Sequence, residues 1–143
     1  MAVNSRILLI EDDPGAGTAL QKVMRTEGHT VDLVTHGEHG LALLGQDRYD
    51  LVITDLRLPG LNGLELVEKI HYSHPNLPII LMTAYGTTEV AIQAMKLGAM
   101  DYVTKPFEVE ELLALVGTGL ANSHREAEDI NAVPAQATTS GWV

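Results

Sequence analysis

The 143-residue chain contains no cysteine, which excludes disulfides and thiolate metal centres and fits a reducing compartment. Basic residues are scarce: nine Lys and Arg stand against 19 Asp and Glu, for a formal charge of -10. Affinity for nucleic acid comes mostly from cations that neutralise phosphates, so this balance argues against direct nucleic-acid contact by the domain. Long apolar runs are missing as well. The longest, residues 77–82 (LPIILM), falls far short of the roughly 20 residues a membrane helix needs. The residues before Ile7 lack the basic start and apolar stretch of a secretory leader. A cytoplasmic location with no membrane partner is expected.

What is present is a regular alternation of short apolar runs and helical stripes. Residues 7–10 (ILLI) form a continuous run of strand length, as in a strand buried on both faces of a parallel sheet. Asp13-Pro14 then supplies an N-cap and a favoured first helical residue. Ala16, Ala19, Leu20 and Val23 follow at helical spacing as the expected inward face, and Gly28 is the expected stop. The spacing predicts strands at 30–34, 51–54, 77–82 and 101–104. Helices are predicted at 37–44, then after the breaker-rich loop 58–63 with Leu66, Val67 and Ile70 inward and Pro75 and Pro78 ending it. Another spans about 87–97, with Ala91, Ala94 and Met95 inward and Gly98 as its end. The last carries Val109, Leu112, Leu113, Val116 and Leu120. Five strands alternating with five helices predict an α/β fold with one doubly wound, five-stranded parallel sheet and right-handed connections. Apolar periodicity stops near Arg125. The expected organisation is therefore one domain over 1–124 and a linker-like or frayed tail over 125–143. The tail holds one arginine and three acids, so the domain keeps -8.

Four polar groups each follow one of the apolar runs: Glu11-Asp12-Asp13, Asp55, Thr83 and Lys105. In an open α/β sheet, ligands bind beyond the carboxyl ends of the strands, so groups distant in sequence converge there. Three consecutive acids at one strand end repel one another unless a cation offsets them. Mg2+ suits this donor set, since it prefers oxygen ligands and takes one or two carboxylates while keeping waters. Asp12 and Asp55 fit that demand, with Glu11 holding a metal-bound water; the bland alternative is a solvated acidic loop. Asp13 is accounted for as a helix cap, and metal ligation is its second reading. Asp55 lies between an apolar strand and a glycine-rich loop that leaves room for a ligand, and a carboxylate there can act as a nucleophile toward phosphorus. Lys105 offers a point charge and Thr83 a hydroxyl. The Lys105-Pro106 bond is a candidate cis peptide.

These residues resemble the receiver domain of two-component response regulators over about 6–120, a flavodoxin-like (βα)5 fold. The resemblance rests on Ile10-Glu11-Asp12-Asp13, on 54–63 (TDLRLPGLNG), on 82–86 (MTAYG) and on 101–107 (DYVTKPF). It implies that Asp55 accepts a phosphoryl group from a sensor histidine kinase, with Mg2+ held by Glu11, Asp12, Asp55 and the backbone carbonyl of Arg57. It implies that Thr83 and Lys105 contact the phosphoryl group and that Tyr102 is an aromatic switch turning inward as Thr83 moves. The face of the fourth helix, fifth strand and fifth helix, including Lys96, would carry the change to an output domain, an effector or a second copy in a phosphorylation-dependent homodimer. Arg57 and Tyr85 flank the pocket and would govern water access. The stretch 84–99 looks most like receivers that precede ATPase activators of alternative-sigma-factor transcription. The domain is then a signalling switch, catalysing only its own phosphoryl transfer and loss.

Other readings fit less well. An aspartate-nucleophile phosphatase wants a second acid two residues after the nucleophile, where Arg57 stands. A dinucleotide site would use Gly15-Ala16-Gly17, but Leu20 replaces the third glycine and the acids would repel a pyrophosphate. A non-phosphorylated, receiver-like interaction domain should lack part of the constellation, and this chain keeps it all.

Overall fold

The computed structural model describes the backbone over residues 5–84 and 88–132, and side chains as far as Ser123. The elements run β1 (Arg6–Ile10), α1 (Pro14–Thr26), β2 (Thr30–Val34), α2 (Gly37–Gln46), β3 (Leu51–Asp55), α3 (Gly63–Ser73), β4 (Ile79–Ala84), α4 (Thr88–Lys96), β5 (Asp101–Lys105) and α5 (Val109–Ala132). All pairings are parallel, in the order β2-β1-β3-β4-β5. The strands alternate between two apolar layers. Leu8, Ile10, Val52 and Leu81 join Leu66, Val67, Ile70 and Ala94 on the α2–α3–α4 side. Ile7, Leu9, Ile53 and Met82 join Met24, Leu112 and Val116 on the α1–α5 side. Chain order reverses between β1 and β3, so their carboxyl ends form the topological switch point where such sheets bind ligands.

Asp13 caps α1 by accepting from the Gly15 amide, and Gly28 (φ 99°) and Gly98 (φ 126°) lie just beyond α1 and α4. Four expectations need correction. The inner face of α1 centres on Gly17 and Met24, with Ala16, Leu20 and Val23 half-buried, while Ala19 is exposed. The helix is rotated because Gly17 rests on Leu33, where a Cβ would come 2.9 Å from a methyl carbon. β4 begins at Ile79 rather than 77, because Leu77 donates its amide to His74 in a turn and Pro78 has none to give. Met95 is 39% exposed, since Ala91 and Ala94, with Val90 beside them, fill the contact beneath α4. Finally, α5 continues past Arg125 to Ala132. Glu126, Ala127 and Glu128 have strong helix propensity, which needs no apolar stripe. The tail beyond Ala132, Thr87 and the Tyr85-Gly86 part of the third motif lie outside the described residues.

Candidate functional site

Each chemical group stands where a buried strand ends. β1 is completely buried from Ile7 to Ile10, and Glu11 continues it with its amide bonded to the Val34 carbonyl at 3.0 Å. That register turns the Glu11 side chain inward until 1% of it is exposed, and Asp12 falls outward to solvent. Asp55 ends β3 on the neighbouring strand. Gly63 holds the following loop close: its amide donates to the Leu56 carbonyl at 2.9 Å, and a Cβ there would collide with that carbonyl. Lys105 ends β5, and the Lys105-Pro106 bond is cis, as the sequence suggested.

Lys105 reaches across the strand ends to both acids. Its Nζ donates to Glu11 Oε1 at 2.7 Å and to Asp55 Oδ2 at 2.8 Å. Two backbone amides complete the arrangement, Asp13 donating to Glu11 Oε2 at 3.1 Å and Arg57 to Asp55 Oδ1 at 3.2 Å. Burial pushes the Glu11 carboxyl above its ordinary value, although Lys105 and the Asp13 amide both favour its charge. Burial also works to lower the Lys105 value, but the bonds to Asp55 and Glu11 outweigh it and hold the ammonium protonated. Carboxylate oxygens of Glu11, Asp12 and Asp55 all lie within 4.8 Å of one another. With all three ionised, a single ammonium leaves two negative charges uncompensated. A hard divalent cation matches that deficit and the all-oxygen donor set.

The remaining expected residues take different places. Asp13 is exposed, and its carboxylate serves the Gly15 amide at 3.1 Å. Thr83 is buried, and its hydroxyl donates to the Val103 carbonyl at 3.3 Å, away from the acids. Tyr102 is half-buried against the α2–α3–α4 layer, which also contains Leu81. By strand alternation Thr83 shares that face with Leu81, so Thr83 and Tyr102 lie on one side of the sheet. Two features escaped the sequence reading. The direct Glu11–Lys105 pair was one, because Lys105 drew attention only as a phosphate contact. The other is Thr54, which is buried and donates to the Asp55 carbonyl at 3.0 Å; a polar residue inside an apolar strand was its signal.

A five-stranded parallel sheet with an acidic cluster and a lysine at its switch point defines a class, and the comparisons agree with it. Residues 7–117 match the family model of the response regulator receiver domain, and the chain belongs to that family. It is 41% identical over 112 residues to the response regulator protein FleR of Pseudomonas aeruginosa, covering 78% of this chain and 24% of FleR. Among solved structures, NtrX from Brucella abortus in complex with ADP superposes with a TM-score of 0.85 at 27% identity, over 96% of this chain and 31% of NtrX. A receiver domain protein from Clostridium thermocellum gives 0.80 at 26% identity, over 84% of this chain and 97% of its own. The chain spans about half or less of the length of the curated relatives it matches. It is a receiver domain of the two-component signalling systems. No described helix is long and apolar enough to cross a membrane.

Proposed function

We propose that Asp55 is the phosphoacceptor, taking its phosphoryl group from a sensor histidine kinase. The observation that carries this is the Asp55 carboxylate at the switch point, 2.8 Å from the Lys105 ammonium and clustered with Glu11 and Asp12. A carboxylate oxygen forms the new P–O bond as the P–N bond to the donor imidazole breaks, and the imidazole takes up a proton. Glu11, Asp12, Asp55 and the Arg57 carbonyl are the groups that would hold Mg2+, which supplies positive charge against the phosphoryl oxygens. Lys105 gives a charge-assisted donor to the same oxygens. Thr83 exchanges its Val103 acceptor for a phosphoryl oxygen, and Tyr102 turns into the space this opens. Arg57 and Tyr85 govern the approach of the water that ends the signal.

The altered surface is that of α4, β5 and α5. It carries the exposed Ile92 and Met95 beside Lys96, an apolar patch with a charged neighbour. An output domain, an effector or a second copy docks there, with residues 125–143 as the connecting segment at the end of domain 1–124. FleR and NtrX are three to four times the length they share with this chain. That favours a cytoplasmic regulator whose receiver precedes an ATPase activator of alternative-sigma-factor transcription.

The test is incubation with acetyl phosphate and Mg2+, followed by intact mass measurement of wild type and Asp55→Asn. Wild type gains one phosphoryl group and the variant gains none. Equal uptake by both would remove Asp55 as acceptor; no uptake by either, with a cognate kinase also tried, would leave an interaction domain.

A further inference from the structure

Thr54 is completely buried one residue before Asp55, in register with Ile10 of β1 and Leu81 of β4, which are buried as well. The residues of β3 ahead of it are Leu51, Val52 and Ile53, and strand alternation puts Thr54 on the same apolar face as Val52. Valine would fill this place without a polar group to satisfy, and a buried hydroxyl is costly unless it is bonded. The Thr54 hydroxyl is bonded, donating to the Asp55 carbonyl at 3.0 Å.

The register explains why that carbonyl takes a side-chain donor. Val52 and Leu56 donate their amides to the Pro78 and Met82 carbonyls on the β4 side, so the intervening alternation points the Asp55 carbonyl toward β1. Pairing of β1 with β3 ends at Ile10 and Thr54, and the chain bends at Asp12, where the next donor of a longer ladder would stand. That departure lets Asp12 join the acidic cluster and leaves the last carbonyl of β3 without a ladder partner. Thr54 fills the gap. The Asp55-Leu56 peptide is then held at both ends, its N–H by the Met82 carbonyl at 2.9 Å and its carbonyl by the Thr54 hydroxyl. Two parts of the site hang on this peptide. The Asp55 carboxylate precedes it, with Oδ1 accepting from the Arg57 amide at 3.2 Å, and the Arg57 carbonyl, among the groups that would hold Mg2+, follows it.

We propose that Thr54 is a positioning residue of the phosphoacceptor site: by holding the Asp55 carbonyl, its hydroxyl fixes the Asp55-Leu56 peptide and, through it, the aim of the Asp55 carboxylate and the Arg57 carbonyl. It touches neither metal nor phosphoryl group and acts through Asp55. The phosphoryl arm of this inference rests on the reading of Asp55 as phosphoacceptor; the metal arm rests on the acidic cluster alone.

Isothermal titration with Mg2+ reads the first arm, and intact mass during incubation with acetyl phosphate at saturating Mg2+ reads the second. Thr54→Val should bind Mg2+ about tenfold more weakly than wild type and take up the phosphoryl group about tenfold more slowly. Thr54→Ser keeps the hydroxyl and should restore both. A role confined to packing predicts the opposite order, because serine deletes a buried methyl group whereas valine keeps the shape of the side chain. Far-ultraviolet circular dichroism checks that both variants fold. Unchanged Mg2+ affinity in Thr54→Val would overturn the proposal, as would a Thr54→Ser no better than Thr54→Val, a Thr54→Val that does not fold, or wild type that binds no Mg2+. Equal phosphoryl uptake by wild type and Asp55→Asn would remove the acceptor assignment alone, and the Mg2+ affinities of the two Thr54 variants would then decide the role of Thr54.

Discussion

Replacing Lys105 with methionine keeps most of the unbranched apolar stem and removes the terminal ammonium with its charge and donors, which isolates what that group does at rest. Its two bonds, at 2.7 and 2.8 Å, join a Glu11 side chain 1% exposed to an Asp55 side chain 13% exposed. At an effective dielectric near 20 each attraction is worth about 6 kcal/mol before desolvation. Breaking a fully buried pair costs about 3–5 kcal/mol net. Lys105 itself is 34% exposed, so water screens the interaction and about 2 kcal/mol is the fitting figure for Lys105→Met in metal-free buffer. Mg2+ supplies the same neutralisation. Saturating metal, worth about 2.7 kcal/mol at a hundredfold excess over Kd, should therefore stabilise the variant more than wild type and narrow the gap to under ~1 kcal/mol. The ammonium's raised pKa makes its contribution complete below the ordinary lysine value and lost only as pH rises through the higher folded value, so the gap should be flat around neutrality. Urea unfolding followed by circular dichroism, in EDTA and in Mg2+, measures all of this. Equal stability of variant and wild type in EDTA, or a gap that Mg2+ leaves unchanged, would refute the account of Lys105 as the resting counter-ion.

Three further outcomes are expected from the same geometry. Asp13→Ala should lose about 1 kcal/mol of stability as a missing helix cap while keeping Mg2+ affinity, whereas Asp12→Ala should lose affinity at least tenfold; isothermal titration separates them, and a reversed pattern would exchange their roles. Thr83→Val removes the buried donor to Val103, should cost about 1 kcal/mol, and should leave phosphate uptake by Asp55 intact while abolishing any phosphorylation-dependent dimer, read by sedimentation. Burial, then the bond to Asp32, pushes Tyr49 up to about 12, so its stabilisation is present below pH 10 and declines between about 10 and 12; Tyr49→Phe should remove that alkaline loss from a pH series of urea midpoints.

The alternation of apolar runs was enough to read five strands and five helices, because a parallel sheet buried on both faces demands continuous apolar strands. What it could not reveal was rotation about a helix axis. The inward face of α1 is set by the fit of Gly17 onto Leu33, a contact between elements that no stripe within α1 encodes. The same limit applied at the site. Glu11, Asp12, Asp55 and Lys105 were legible as strand-end residues, and the structure brings them together. Their resting partners were not legible, since a lysine's reach across 94 positions depends on the stagger of β1, β3 and β5. Thr83 was legible only as a residue type; its bond to Val103 comes from the β4–β5 register.

That bond bears on where the switching energy arises. Moving a population from 1:99 to 99:1 requires about 5.5 kcal/mol of preference for one state, and a contact made equally in both states contributes nothing to it. Lys105 already has two carboxylate partners at rest, so exchanging one of them for a phosphoryl oxygen gains only a difference between charge-assisted bonds. On the reading of Asp55 as phosphoacceptor, Thr83 would go from a neutral carbonyl acceptor to a charged one, gaining about 1 kcal/mol from the stronger bond, but it would abandon the buried Val103 carbonyl, at a comparable cost unless a new donor arrives. On that reading, the larger share must then come from repacking: the space left by Thr83 is filled from the same face of the sheet by Tyr102, half-buried at rest. Burying the rest of an aromatic ring is worth about 1–2 kcal/mol, and it accrues only in the switched state. Truncating Tyr102 should therefore reduce the effect of phosphorylation on the α4–β5–α5 surface more than replacing Lys105 does.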